Sequence, residues 1–328
     1  MPDLTPPTIV VVTHNSRAHF PALKAALERQ TLAYDLIVID SGSRAEERPL
    51  AADFPAATIV QIAENLGFAA ANNRAVERVA GPFVVLLNPD AFPETDWLEQ
   101  MIAAAERRPE AACVASLLLM ADDDRRYDGV GDCVHACGAS WRGARGALRK
   151  ETPHEGYVFS ACAAAALYRV EVWRALGGFD ESYFCYHEDV DLGFRLRLAG
   201  WQTALAPAAV ARHVGGGGSN AGVDFEAYHS VRNGCWTFYK NMPAPLLAAL
   251  TPLQIMWSLY VLWSALLRGR AGPVARGLHD GFAGLPAIFA ARRAVQRTRR
   301  ASWLDIARAL TWSPFAIMRK TAKIRRLR

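Results

Sequence analysis

Residues 8–120 alternate short runs rich in Val, Ile and Leu with segments of helical periodicity. That alternation predicts an α/β fold on a mostly parallel sheet flanked by helices. Small polar or acidic residues close each apolar run, and in such sheets they collect at the carboxyl edge, where open α/β folds bind ligands. The C-terminal quarter reads differently. Residues 242–267 carry no charge, while 268–328 hold fifteen Lys/Arg against two acids, Asp280 and Asp305. This predicts a C-terminal amphipathic helical region that associates with a membrane.

The strands are predicted at 8–12, 35–39, 58–61, 83–87 and 112–119, and helices at 19–29, 69–79 and 97–107, the first with Leu23, Ala26 and Leu27 on one face. The strand ends read Thr13-His14-Asn15-Ser16, Asp40-Ser41-Gly42-Ser43, Glu64-Asn65-Leu66-Gly67-Phe68 and Asn88-Pro89-Asp90-Ala91. Turn chemistry alone places such residues in loops, but four successive loops of this kind favour a nucleotide pocket. A G-x-G-x-x-G after the first strand and a Walker-type lysine loop are both missing, which disfavours a dinucleotide dehydrogenase or a P-loop enzyme. Residues 121–156 are polar, contain glycine and lack periodicity, so they are expected as a mobile loop over the site or a solvated connection. Beyond them come a buried segment at 157–167, a short helix at 170–176 ended by Gly177-Gly178, an acidic helix, a strand at 202–206, Arg212-His213 and a flexible run at 215–219.

Charge divides the chain into an acidic body, with 22 basic and 30 acidic residues in 1–267, and a tail at +13. The tail asks for an anionic partner. Its basic residues are interleaved with large apolar ones, which points to lipid headgroups and away from nucleic acid. Pro243, Pro245, Pro252 and Gln254 interrupt 242–267, and a single span would put the basic tail outside, against the positive-inside rule. Interfacial helices are therefore expected at the cytoplasmic face of the membrane, with a single span as the alternative. The six cysteines lack disulfide-framework spacing, which suits reduced thiols. Cys133, His135 and Cys137 have no second ligand pair to complete a zinc site. The N-terminal segment lacks the basic region and long apolar run of a signal peptide.

The densest chemistry lies in GFDESYFCYHEDVDLGFR, where Glu188, Asp189 and Asp191 follow Tyr183, Phe184 and Tyr186. A helix N-terminus welcomes acidic residues through its dipole, so the cluster alone is explained without a function. Crowded carboxylates are also how a general base is poised near neutral pH.

Taken together, VVTHNS (11–16), VIDSGS (38–43), ENLGFAAANNRAV (64–76), LLNPDA (86–91), GGFDESYFCYHEDVDLGFRL (177–196) and RHVGGGGS (212–219) resemble glycosyltransferase family 2, and most of all its rhamnosyltransferase-type members. The resemblance spans roughly seven-tenths of the chain, residues 8–240. It implies a GT-A type fold over 1–240, with a nucleotide-binding half at about 1–120 and an acceptor half at about 121–240, followed by the basic tail at 241–328. It also implies inverting sugar transfer, with rhamnose as the candidate sugar, from a dTDP- or UDP-sugar to a glycan or lipid-linked acceptor in cell-envelope polysaccharide synthesis.

By the same resemblance Asp189 is the base that takes the acceptor proton, with Glu188 and Asp191 orienting it, binding the acceptor or capping the helix. Asp90 and His213 would hold Mg²⁺ or Mn²⁺, because a departing diphosphate needs its charge neutralised. Asn88 stands where many relatives carry a first aspartate, which leaves Asp90 as the coordinating carboxylate. Asp40 would accept a hydrogen bond from the base, with Thr13 and Asn15 bordering the nucleoside, Asn65, Gly67 and Asn73 near the sugar and phosphates, and Arg232 on the diphosphate. The rival readings are a nucleotidyltransferase on a similar sheet, which would want a basic phosphate-gripping loop after the first strand, and a non-catalytic nucleotide-binding membrane scaffold, which would need no base.

Overall fold

In the computed structural model, residues 5–215 and 222–327 are described. Much of the 215–219 run, and with it the end of RHVGGGGS, lies outside the described residues. The chain runs β1 (Thr8–Thr13), α1 (Phe20–Glu28), β2 (Asp35–Ser41), β3 (Ala57–Ile62), α2 (Gly67–Val76), β4 (Phe83–Leu87), β5 (Ala91–Pro93), α3 (Trp97–Arg107) and β6 (Ala111–Met120). It continues through β7 (Tyr127–Gly129), β8 (Asp132–Val134), β9 (Ser140–Arg142), β10 (Gly156–Val158), β11 (Ala165–Arg169), α4 (Val170–Ala175), α5 (Glu188–Leu198) and β12 (Gln202–His213). The rest is helical: α6 (Gly222–Asn241), α7 (Ala244–Leu267), α8 (Ala271–Ala283), α9 (Leu285–Arg297), α10 (Trp303–Ala309) and α11 (Pro314–Arg319).

The main sheet is ordered β10-β12-β6-β11-β4-β1-β2-β3. The strands β3, β2, β1 and β4 pair in parallel, as do β6 and β12, while β11 runs antiparallel between β4 and β6. The sheet is thus mixed, and β6 is separated from β4 by a strand that arrives later in the chain. Alternate residues of β1 explain the layering. Val10 and Val12 pack with Ala69, Ala71 and Ala75 of α2 on one face, and Ile9 and Val11 with Phe20, Leu23, Trp97 and Met101 of α1 and α3 on the other. A further cluster joins Val190, Phe194 and Leu198 of α5 to Phe238, Leu246, Leu250, Ile288 and Ile306 of the C-terminal helices.

Residues 121–156 are neither a solvated connection nor a loose lid. Tyr127, Val130, Cys133, Val134, Ala136 and Cys137 are buried, and β8 pairs with β9 as a small hairpin. Three-residue strands are too short to leave a period-two signal. The C-terminal segment returns to this region: Ala136 N–H donates to Thr311 O (2.9 Å), and Tyr157 and Arg325 exchange backbone hydrogen bonds (2.8 and 2.9 Å). Arg292 donates to Tyr239 O at the end of α6 (3.1 Å), so part of the tail's positive charge stabilises the fold. The helix α7 packs Leu246, Leu250, Gln254 and Ser258, four residues apart, against the body and leaves Leu253, Met256, Leu259, Tyr260, Trp263 and Leu267 exposed.

Candidate active site

The strands β1, β2, β4 and β12 end on one edge of the sheet, and their termini open on a cavity of about 600 Å³. His14, Asn15, Ser41, Asn65, Gly67, Asn88, Asp90, Glu188, Asp189 and His213 all line it.

The metal candidates meet through strand register. In the β5–β12 pair His213 lies opposite Ala91, one residue past Asp90, and His213 Nε2 is 3.5 Å from Asp90 Oδ1. That oxygen is buried and receives no hydrogen bond. On the other side of the ring, Nδ1 lies 2.7 Å from Asp128 Oδ2. A histidine ligand donates its second nitrogen to a carboxylate in this way, which fixes its tautomer. Burial works against charge on these groups, yet their mutual contacts win: Asp90 and Asp128 are held below the usual carboxylate range, and the His213 ring is raised. Among the described residues no group of three or more His, Cys, Asp or Glu side chains is set to hold a metal ion. Asp90 and His213 are two oxygen and nitrogen donors on one side of the cavity, which fits a divalent cation completed by a diphosphate and water.

Asp189 follows from the start of α5. Its Oδ2 accepts from Ala163 N–H (3.1 Å) and its Oδ1 from Val190 N–H (2.8 Å). Burial raises its pKa against the pull of these donors. Glu188 is raised well above the usual range by burial and then by the Asp189 charge, and its buried Oε2 has no donor. A third carboxylate, Asp132, lines the same cavity, is raised by burial and by Asp189, and accepts from Ser160 Oγ (3.0 Å). Arg142 and Arg145 also line the cavity; Arg142 pairs with Asp128, and Arg145 Nε lies 3.3 Å from it. Sequence reasoning did not single out Asp128, Asp132, Arg142 or Arg145, all of which come from the 121–156 segment.

The segment leading into α5 is held in unusual backbone geometry, with φ of +65° at Phe184, +67° at Tyr186 and +69° at His187. The buried amide of Asn233 sits beneath it, its Nδ2 within 2.7–3.0 Å of the carbonyls of Tyr183, Cys185 and Tyr186. Left-handed non-glycine residues cost free energy and persist only where the surroundings enforce them.

Several expected residues lie elsewhere. Asp191 is fully buried and outside the cavity lining, bonded to Arg195 Nε (2.8 Å), Lys240 Nζ (2.9 Å), Asn241 Nδ2 (2.7 Å) and Tyr183 OH (3.2 Å). It joins α5 to α6 and does not reach an acceptor. Asn73 exchanges two hydrogen bonds with the Phe179 backbone (both 2.9 Å), pinning 178–184 to α2. Arg232 donates to Tyr183 O (3.0 Å) and lies 4.4 Å over the Trp236 ring. Neither residue lines the cavity. Thr13 lies just beneath the floor, donating to Asp40 Oδ1 (3.4 Å). Asp40 Oδ2 is buried without a hydrogen-bond donor, 4.0 Å from Arg48 Nε. Asn15 ties the β1 and β2 loops by accepting from Arg44 N–H (2.9 Å), and Asn65 accepts from Gly67 N–H (2.9 Å) at the start of α2. A side chain at Gly67, where φ is +78°, would collide with Phe184.

A mixed sheet with helices on both faces, gathering these groups at one edge, is the GT-A type architecture of glycosyltransferases. The family model for glycosyl transferase family 2 matches residues 8–175, and the chain belongs to that family. An N-acetylglucosaminyl-diphospho-decaprenol L-rhamnosyltransferase of Mycobacterium tuberculosis is 29% identical over 238 residues, 65% of this chain and 76% of the relative. The O-antigen chain rhamnosyltransferase RfbN of Salmonella typhimurium is 28% identical over 214 residues, 63% of this chain and 65% of the relative. Among solved structures, a mannosyltransferase from Pyrobaculum calidifontis in complex with GDP-Man and Mn²⁺ superposes with a TM-score of 0.55 at 18% identity, covering 94% of this chain and 88% of that one. GalNAc-T7 with UDP, GalNAc and Mn²⁺ gives 0.59 at 13% identity, over 73% and 48%. The chain is a rhamnosyltransferase-like family 2 glycosyltransferase, similar to enzymes named as an N-acetylglucosaminyl-diphospho-decaprenol rhamnosyltransferase and an O-antigen chain rhamnosyltransferase.

Proposed function

We propose that the chain is an inverting, divalent-metal-dependent transferase that moves rhamnose from a nucleoside diphosphate donor to a lipid-linked glycan acceptor at the cytoplasmic membrane surface. The observation that carries this reading is the placing of Asp90 and His213 in one cavity with Asp189 and Glu188. In that arrangement Asp90 and His213 would hold a divalent cation, and the chemistry it would supply is charge neutralisation for the departing diphosphate.

The chain's own groups do the rest. Asp128 orients His213, and Arg142 and Arg145 add positive charge beside the phosphates, the part expected of Arg232. Asp40, buried just outside the cavity lining with Arg48 Nε 4.0 Å from its Oδ2, is the acceptor assigned to a pyrimidine N–H, with Asn15 beside the nucleoside. The acceptor hydroxyl gives its proton to Asp189 as it attacks the anomeric carbon on the face opposite the leaving group. Burial keeps that carboxylate's proton affinity high, and its charge in turn raises Glu188 and Asp132 beside it.

The names of the relatives support rhamnose and a lipid-diphosphate acceptor. The exposed apolar face of α7, with arginines such as Arg268, Arg270 and Arg276 exposed beside it, supports a peripheral seat on anionic lipid. The helix is long and apolar enough to cross a membrane, but its Leu246–Ser258 face is committed to the body.

The test is a panel of nucleotide sugars with Mg²⁺ or Mn²⁺, reading nucleoside diphosphate release. Asp189→Asn is expected to lower transfer by about 10²–10⁴-fold while donor binding persists. Turnover retained by that variant would remove Asp189 from the role of base, and no response to any donor would favour a scaffold.

A further inference from the structure

We propose that a second, smaller cavity beside the catalytic one receives the leading apolar segment of the acceptor's lipid carrier and so sets a preference for chain-bearing acceptors. The inference rests on the lipid-linked reading above and assigns that lipid a place.

This cavity, of about 170 Å³, lies between α6, α7, α8 and residues 137–140. Its size is below the roughly 300–1,000 Å³ of pockets that enclose a whole small molecule, so it suits part of a ligand. Cys137, Ala139, Val231, Trp257, Val261 and Leu278 supply much of its wall, and among the described residues no Asp, Glu, Lys or Arg lines it. Its buried Gln254 and Ser258 are already engaged: Gln254 accepts from Tyr239 OH (2.9 Å) and donates to Ser258 Oγ (3.0 Å). A diphosphate or a sugar would find no charged partner there, whereas an isoprenyl or alkyl chain leaves the Gln254 and Ser258 hydrogen bonds intact.

Two observations fix the occupant as part of the acceptor. First, Ser140 and His187 line both cavities, and His187 immediately precedes Glu188 and Asp189. The His187 ring is buried, its Nδ1 has no partner, and its Nε2 lies 3.5 Å from Ser140 Oγ. Burial lowers it to about 4, so near neutral pH this shared wall is uncharged. Second, the opposite wall belongs to α7: Trp257 and Val261 stand between its buried ladder and its exposed apolar face. A chain leaving the bilayer along α7 therefore passes Trp257 and Val261 before its headgroup meets the carboxylates past His187.

The experiment uses the full chain and N-acetylglucosamine diphosphate carried on either a farnesyl or a methyl group. The wild type is expected to prefer the farnesyl acceptor. Val261→Trp, which fills the cavity from a half-buried position, is expected to raise KM for it by about tenfold or more and to leave kcat/KM for the methyl acceptor unchanged. Equal effects on both acceptors, or a wild type indifferent to the chain, would overturn the inference while leaving the transferase reading intact. A farnesyl diphosphate bearing a terminal diazirine supplies a readout independent of turnover. Labelling of 137–140 or 254–261 in the wild type, lost in Val261→Trp, supports the site, and labelling confined to other segments overturns it. Absence of transfer to either acceptor together with absence of labelling sinks both readings.

Discussion

Asp189→Asn and Asp191→Asn are the same chemical change two residues apart, and the structure separates their consequences. Asp191 is 0% exposed and receives hydrogen bonds from Arg195, Lys240, Asn241 and Tyr183. The Lys240 and Arg195 cations, with the Asn241 amide, outweigh the cost of burial and hold its carboxyl well below the usual carboxylate range. Removing its charge leaves Arg195 with the carbonyls of Leu176 and Gly178, and Lys240 with Asp180. Breaking a buried pair from one side costs about 3–5 kcal/mol. At about 2.1 cal/mol/K of unfolding entropy per residue, a 328-residue chain has about 0.7 kcal/mol/K, so Asp191→Asn should lower Tm by roughly 4–7 °C. The folded pKa is depressed, so the wild-type advantage is complete above the ordinary aspartate value of about 3.9 and is lost only as pH falls through the folded value. The Tm difference should therefore stay constant between about pH 5 and 9. The assay is thermal unfolding by circular dichroism across that range, beside transfer measured at a temperature where both proteins are folded. A variant with unchanged Tm and abolished transfer would show that Asp191 acts in the chemistry and that the clamp described here is not what it does.

Asp128→Asn should weaken the second-nitrogen hydrogen bond of His213 and raise the Mn²⁺ concentration for half-maximal transfer by about 10–100-fold. Most of kcat should return at saturating metal, and unaltered metal dependence would separate Asp128 from the ion. Glu188 is raised in the folded protein, so its contribution to stability is full below the ordinary carboxylate value and is lost as pH rises through the folded one. Glu188→Gln, which cannot ionise, should therefore gain Tm relative to the wild type on moving from about pH 5 to 8; a gap independent of pH would mean the carboxyl does not titrate against folding. Transfer by the wild type should rise with pH along an acidic limb belonging to the Asp189–Glu188–Asp132 group as a whole, and a flat profile through that limb would argue against a carboxylate base.

Much of the nucleotide half was legible because its strands are five to seven residues long and its helices carry a clear stripe. The structure places β1 to β4 within two residues of the sequence-predicted bounds, and α3 at Trp97–Arg107. The long buried run of β6 was equally plain, but its neighbours were not, since the insertion of β11 between β4 and β6 depends on pairing across some fifty residues of chain to β6 and some eighty to β4. The same limit hid Asp128, Asp132 and Arg142, which sit in or beside strands of three residues whose partners are set by tertiary packing. Asp191 could have been placed from the sequence. On a helix, residues two apart point about 200° away from each other, so Asp189 and Asp191 could not both face one site, and Arg195 four residues on was a natural partner for Asp191. Asn73 offered no such signal, because its partner at Phe179 is fixed only by the folded path of 178–184.

The acidic segment therefore carries two opposed kinds of carboxylate. Glu188, Asp189 and Asp132 are all raised in proton affinity by burial, and Glu188 and Asp132 further by the Asp189 charge, an arrangement that disfavours folding when they ionise. Asp191 sits among cations and amide donors that outweigh its burial, and it is the one carboxylate of the helix start whose proton affinity is lowered. The left-handed backbone at Phe184, Tyr186 and His187 adds a second local cost immediately before the helix. Asn233 and Arg232 hold that backbone through its carbonyls, and Asp191 with Lys240 ties the helix to the same α6. A general base needs a carboxylate kept uncomfortable in one position. One turn of α5 meets that need because α6 fixes what lies under it, so changes at Asn233 or Asp191 should reach the site by loosening its floor.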